Sequence, residues 1–233
     1  MSKPVDPAEI LTTFAGRAPI FPLPNVVHFP HLLLPLHVFE PRYRRMVHDC
    51  LSGDRLLAMA LLKPGWEASP VYARPAVFDM VCLGRITAEQ RLPDGRYYLV
   101  LQGLSRARIV GEEEPDQPYR IARLELCPDV YAAPPTIDRD SRREEMLDAF
   151  RRLHQNINLE RVFEDAIAAS VSMGVICDVL ADALKLPPVA AQEVLEAVDV
   201  DERSAIVLGR IQEKIRILSG KMRRISPPQF STN

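Results

Sequence analysis

The sequence predicts an α+β chain in which a small β-barrel is followed by an α-helical bundle. Three observations carry that prediction. From Pro19 to Pro128, Pro and Gly break the chain into short runs rich in Val, Leu, Ile and Tyr, which is how short strands read. From about Ser141 to Ile225, apolar residues recur every three or four positions, the period of a helix with one buried face. Between the two lies Tyr131–Asp140, YAAPPTIDRD, with the composition of a linker. The expected organisation is an N-terminal extension at 1–17, a barrel at 18–130, a linker at 131–140, a helical bundle at 141–225 and a tail at 226–233.

The barrel half can be taken piece by piece. Pro19–Leu23 reads as a strand interrupted by Pro22, hence an edge or rim strand. Glu40–Leu51 reads as a helix with Pro41 in its first turn. Tyr43, Met46, Val47, Cys50 and Leu51 form one apolar stripe on it, and Gly53 is expected to stop it in a left-handed cap. Leu56–Leu62 is apolar throughout, as a strand buried on both faces would be, and Pro64-Gly65 ends it. Val81–Arg91 and Arg96–Gln102 flank Pro93-Asp94-Gly95 and predict a hairpin. Arg106–Val110 and Tyr119–Leu126 read as two further strands, the second alternating apolar and charged residues. Five or more short, mostly antiparallel strands with one helix suggest a barrel that closes its own edges.

The helical half opens at Ser141-Arg142-Arg143-Glu144, which matches a capping box. Met146, Phe150, Leu153 and Ile157 continue as a stripe, and Glu160–Ala169 reads as a second helical stretch. Ser172 is a candidate cap for a third helix whose inward residues would be Ile176, Val179, Leu180, Ala183 and Leu184. Pro187-Pro188 opens a fourth through Val194, Leu195 and Val198, and Asp199 with Glu202 caps a fifth. In that last helix Leu208, Ile211, Ile215, Leu218, Met222 and Ile225 repeat every three or four residues. A strip this short suits packing on the chain's own bundle, so a monomer is expected, with Leu208–Leu218 packed and the chain frayed beyond about Arg224.

Composition narrows the function classes. The chain has 233 residues, 47% apolar and 26% charged, which is enough to bury a core. Its net charge of −2 is no footprint for nucleic acid. The N-terminus has no apolar signal run, and of the two most apolar windows, Leu56–Leu62 is short and Ala166–Leu184 carries Asp178 and Asp182. A cytoplasmic chain with no membrane partner is the expectation. Cys50, Cys82, Cys127 and Cys177 lie far apart, with no C-x-x-C pair, and read as small core residues in a reducing compartment.

No catalytic pattern stands out. G-x-x-x-x-G-K-[ST], G-x-S-x-G, H-E-x-x-H and G-x-G-x-x-G are all missing from the sequence. His28, His31 and His37 cluster in HFPHLLLPLH, and three imidazoles could ligate a transition metal. Pro30 and Pro35 rigidify that segment, His28 and His31 have opposite strand parity, and no fourth ligand is evident. Neither a metal nor any other cofactor is expected. His48 and His154 read as surface residues.

The informative stretch is FPLPNVVHFPHLLLPLHVFEPRYRRMVHDCLSGDRLLAMALL, Phe21–Leu62. Phe21-Pro22-Leu23, Phe29-Pro30 and Leu34–Tyr43 resemble the opening of the Lon N-terminal domain family, the substrate-binding region of ATP-dependent Lon proteases. His31 stands where the family commonly has Gly, which questions only the local turn. Gly84-Arg85-Ile86, the turn Asp94-Gly95-Arg96-Tyr97, Gly103 with Arg106-Ala107-Arg108, and Tyr119–Ala122 also resemble family segments, as do Leu180-Ala181-Asp182 and Leu195–Asp199. The resemblance covers roughly residues 18–218. It implies a PUA-like pseudo-barrel followed by a helical bundle, and a non-catalytic module that binds unfolded or partly folded polypeptide. A full Lon protease continues into ATPase and protease modules for which these residues have no room, so a free-standing Lon-domain protein is expected.

Leu32, Leu33, Leu34, Pro35 and Leu36 are the candidate polypeptide-binding surface, with a buried strand as the competing reading. The family-motif residues Phe21, Pro22, Leu23, Pro30, His37, Phe39, Glu40, Arg42, Tyr43, Asp94, Gly95 and Arg96 are read as structural. Glu40 suits a helix N-terminus, Tyr43 opens the apolar stripe, and Arg42 could pair with a strand carboxylate. A protease or chaperone is the candidate further partner. The second reading is an RNA-binding PUA-like domain, with Arg42, Arg44, Arg45, Arg106 and Arg108 as phosphate contacts. That one rests on fold analogy alone.

Overall fold

The computed structural model describes residues 7–68, 74–114, 116–153 and 171–224. Six strands carry the first half: β1 (Arg17–Leu23), β2 (Leu33–Val38), β3 (Leu56–Leu61), β4 (Met80–Arg91), β5 (Tyr97–Glu112) and β6 (Arg120–Leu126). They run in the order β2-β5-β4-β3-β1-β6, and β6 also pairs with the far half of β5. That extra pairing closes β5-β4-β3-β1-β6 into a barrel and leaves β2 hydrogen-bonded to the near half of β5. Of these six strands only β1 and β3 pair in parallel. This is the pseudo-barrel the sequence predicts.

Three of its features differ from expectation. The two runs read as separate strands after the hairpin are one strand, β5, because Gly103 marks a close approach and not a break. A Cβ there would sit 2.2 Å from the Phe29 carbonyl oxygen. Gly53 ends helix α2 (Pro41–Ser52) at φ −111°, and the left-handed residue is Arg55 at φ 67°. A short helix, α1 (Pro7–Thr12), lies in the expected extension. Tyr43, Met46, Val47 and Cys50 of α2 are buried as the stripe requires, against Phe21, Leu57, Met59 and Leu101.

Four more helices are described: α3 (Arg139–Leu153), α4 (Met173–Ala183), α5 (Pro188–Glu196) and α6 (Val200–Arg224). Ser172 caps α4 by accepting from Val175 N–H, and Asp199 caps α6 by accepting from Asp201 and Glu202 N–H. The first helix is capped differently from expectation. Asp138, not Ser141, accepts the N–H groups of Asp140 and Ser141 and also the Ser141 hydroxyl, so α3 starts inside the segment read as linker. Glu160–Ala169, His154 and Ile225 lie outside the described residues. In α6, Leu208 and Ile211 are buried and Ile215 is partly so, but Leu218 is 48% exposed, so the stripe leaves the bundle one turn earlier than expected. Among the described residues no helix is long and apolar enough to cross a membrane.

The two halves share one core. Phe29, Met80 and Cys82 from the barrel side pack with Met146, Phe150, Ile176, Leu180 and Ile211 from the helices. At this junction Arg106 of β5, 1% exposed, forks onto the Asp178 carboxylate of α4 at 2.9 and 2.6 Å. Its Nε donates to the Leu195 carbonyl. Arg203 of α6, fully buried, donates to Asp129 at 2.6 Å and to the Ala197 carbonyl at 2.7 Å. Two cations thus meet two anions, and carbonyls take up the remaining guanidinium donors. The RNA-binding reading would have Arg106 contact a phosphate, but its guanidinium is spent inside the molecule.

His28 sits near this junction, 4% exposed, and its Nε2 has no partner among the described residues. Burial lowers its pKa from 6.5 to about 4, and the charge of Asp182 offsets this only in part. Between those values the unfolded chain binds a proton that the folded chain does not. Stability therefore falls as pH drops from about 6.5 to about 4, by up to about 3 kcal/mol, and this contribution levels off below. Urea midpoints measured across that window should decline, and His28→Leu should flatten this part of the decline.

Candidate functional site

The site is built on β2. Its residues pair with β5 as Leu33↔Gln102, Leu34↔Leu101, Pro35↔Val100, Leu36↔Leu99, His37↔Tyr98 and Val38↔Tyr97. Directly opposed residues share a face. Leu34, Leu36 and Val38 therefore point inward with Leu101, Leu99 and Tyr97 to the core beneath α2. Leu33, Pro35 and His37 point outward with Tyr98 and Val100. The five residues expected to form one surface are thus divided. Leu33 (64% exposed) and Pro35 lie on the outer face, Leu34 and Leu36 are half-buried on the inner face, and Leu32 packs against the helical core. Neither of the two competing readings describes the strand, which is half buried by alternation.

The outer face gains residues that sequence reasoning did not assign to it. The His37 ring stacks on Tyr98 at 4.7 Å between centroids, and Phe39 lies 5.8 Å from His37. Phe39 is 59% and Tyr98 49% exposed. His37 and Phe39, motif residues expected to be structural, stand with their rings at the surface. Their place in a family motif concealed that, because a motif match says nothing of exposure. Tyr98 could only have been found from the register that sets it opposite His37. Ala88 of β4 pairs with Val100 and extends the face. Next to a register shift between Ile86 and Ala88 lies a shallow concavity of about 440 Å³, lined by Pro35, His37, Ala88, Tyr98 and Val100 and also by Glu89 and Gln90.

Beside this face runs an open strand edge. Among the described residues β2 has a neighbour on one side only, and no backbone bond reaches Leu33–Val38 from outside the β5 ladder. β2 starts from a bulge. His31 N–H donates to the Gly103 carbonyl and Gly103 N–H to the Leu32 carbonyl, so two residues oppose one. His31, the first of the pair, has φ 68°. This is the left-handed position that ordinarily takes Gly.

The remaining motif residues lie in packing, pairing and turn contacts. Phe21 meets Tyr43 at 4.5 Å. Pro30 is buried, and Pro22 and Leu23 are half-buried. Arg42 lies over the Tyr43 ring and pairs with Glu40, not with a strand carboxylate. Asp94 accepts from Arg96 N–H and Nε, and Gly95 has φ 82° in the turn between β4 and β5.

Burial pushes the Cys50 and Cys177 thiols up to about 12, far from a reactive thiolate, although Cys127 is only half-buried. Among the described residues no group of three His, Cys, Asp or Glu is placed to hold a metal ion, and His31 and His37 are exposed while His28 is buried.

Comparison with known proteins agrees with this architecture. Residues 17–213 match the family model of the ATP-dependent protease La (LON) substrate-binding domain. Lon protease of Dictyoglomus thermophilum is 28% identical over 204 residues, covering 86% of this chain and 25% of that protein. Lon protease 1 of Thermus thermophilus is 29% identical over 199 residues, 82% of this chain and 24% of the relative. The chain thus spans about a quarter of the length of these relatives. The N-terminal domain of Mycobacterium avium complex Lon protease superposes with a TM-score of 0.63 at 15% identity, covering 84% of this chain and 98% of that one. A Lon N-terminal domain protein from Xanthomonas campestris superposes at 0.60 with 22% identity, over 83% and 97% of the two chains. With a barrel and helices in the expected order and 197 consecutive residues inside the family model, the chain belongs to the Lon substrate-binding domain family.

Proposed function

We propose that this protein is a non-catalytic polypeptide-binding module, resembling the substrate-recognition domain of Lon protease and acting without ATPase or protease chemistry of its own. The observation that carries the reading is the outer face of β2 and β5. Leu33, Pro35, His37, Phe39, Tyr98 and Val100 form a largely apolar and aromatic surface, bordered by Glu89 and Gln90, in a chain that is 26% charged. Apolar surface left open beside an unpaired strand edge suits a chain that has lost its own fold. We propose the division into barrel 18–130, linker 131–140 and bundle 141–225, with the first bundle helix reaching back to Arg139 and the bundle bracing the barrel. The protein works as a cytoplasmic monomer that presents client to a protease or chaperone. For the RNA reading, Arg106 is buried and Arg42 and Arg45 are engaged with Glu40 and Asp49, which favours polypeptide.

The test uses a reduced, carboxymethylated protein that cannot refold, with its native form as control. Binding to the unfolded form should vary little between low and physiological salt, unlike phosphate-driven binding. The pair Leu33→Asp and Tyr98→Asp should weaken it about tenfold or more with the melting temperature nearly unchanged, because both side chains are exposed. Equal affinity for folded and unfolded forms, or no effect of the two substitutions, would contradict the proposal.

A further inference from the structure

We infer that the bound polypeptide adds to the sheet as a strand along the free edge of β2, and that Pro35 is a built-in gap which limits that pairing to two backbone donors. The inference rests on the polypeptide-binding reading and specifies how the chain is held and which segments are taken.

Two independent observations set the direction of the β2 backbone groups. The Leu32 carbonyl accepts from Gly103 N–H of β5, so even-numbered residues direct their N–H and C=O towards β5. Pro35 has no N–H to offer a ladder, which places the odd-numbered residues on the other side. Leu33, Pro35 and His37 therefore present their backbone groups to the open edge. Three carbonyls can accept there, but only Leu33 and His37 can donate. The same three residues carry their side chains on the outer face, beside Tyr98 and Val100.

That coincidence commits the edge to one kind of occupant. A strand laid along it continues the sheet, and every second side chain falls on the same outer face as Leu33, Pro35 and His37. The favoured ligand is an extended segment with apolar residues at alternate positions, not a helix with period 3.6, whose backbone groups are already satisfied. A second copy of this edge is a poorer partner, since two β2 strands would bring two proline gaps to one ladder. Pro35 thus keeps the edge available to clients while blunting self-pairing.

The probe is a short peptide alternating valine with serine, measured with the whole protein. Two N-methylated versions are compared, one methylated at every valine and one at every serine. One set should lose binding and the other retain it, because the N–H groups of a strand alternate in direction. Leu33→Pro and His37→Pro should each weaken binding several-fold beyond Leu33→Ala and His37→Ala, which remove the side chain but keep the donor. Pro35→Ala restores a donor and should tighten binding about 2- to 10-fold, the worth of one added hydrogen bond. Melting temperatures of these variants are recorded, with Leu36→Pro as the comparison that breaks the β5 ladder and should lower melting.

Equal losses from both methylated peptides, or identical affinities for the Pro and Ala variants at 33 and 37, would overturn strand addition while leaving polypeptide binding standing. No binding of any unfolded polypeptide would overturn both. A wild-type dimer in sedimentation that His37→Pro dissociates and the peptide does not would show that the edge serves a second copy, and would also overturn the inference.

Discussion

Asp178→Ala is expected to destabilise the protein by about 3–5 kcal/mol, the range for removing one member of a buried ion pair. The carboxylate is 1% exposed and takes both terminal nitrogens of Arg106, while Arg203 Nη1 stands 3.5 Å from its Oδ1. Its loss leaves two buried guanidinium groups sharing Asp129, which is itself nearer to Arg203. Uncompensated charge, more than lost attraction, is the cause. A double variant, Arg106→Met with Asp178→Leu, removes one charge of each sign and should recover much of the loss, leaving Arg203 and Asp129 as a pair. Chemical denaturation of the three proteins checks this. A double variant as unstable as Asp178→Ala would show that the network matters for its geometry and not for its charge balance. Because the four groups come from β5, the segment after β6, α4 and α6, the same substitution should loosen the barrel from the helices.

Gly103→Ala is the second large effect expected. The added Cβ would lie 2.2 Å from the Phe29 oxygen and 3.0 Å from Pro30 Cα, both backbone atoms that cannot rotate away. Relief requires the 29–32 strip to move off β5. That withdraws Phe29 from the helical core and disturbs the His31–Leu32 bulge from which β2 starts. A cost of about 2–3 kcal/mol is expected, at the upper end for overpacking, together with weaker polypeptide binding because β2 is displaced. The same change at Gly209 should act oppositely. Gly209 lies inside α6 with nothing within 4 Å of a new Cβ, so Ala should stabilise by about 0.5–1 kcal/mol. Thermal melts of the two variants give the comparison. Equal behaviour would mean that the tight contact at Gly103 is absent in solution.

Gly103 also shows where sequence reading stops. Its position between two strand-like runs looked like a break, and only the approach of Phe29 from far along the chain shows why a residue without a side chain lies within one strand. Features set by neighbours a few residues apart were legible: the α2 stripe, the Pro93-Asp94-Gly95 turn, and the caps at Ser172 and Asp199. Features set by long-range partners were not. Arg106 and Asp178 are 72 residues apart and of types ordinarily exposed, so nothing local marks them as buried. Asp138 displaced Ser141 as a cap because several residues in DRDS could serve and sequence does not rank them. The binding surface was half legible. The apolar run at Leu32–Leu36 pointed to β2, but a strand turns alternate residues to opposite faces, so only Leu33 and Pro35 of that run reach the outer surface. Their neighbours Tyr98 and Val100 follow from register, which the sequence does not state.

The central claim is that unfolded polypeptide is held at β2 and the outer face beside it. Residue-resolved amide spectra recorded during titration with the alternating peptide test it most directly. The account predicts that the largest shifts fall on Leu33–Phe39 and Tyr98–Val100, with slowed exchange at the Leu33 and His37 amides and little change along α3 to α6. Saturable binding that leaves β2 unshifted and moves resonances of the helices instead would contradict it.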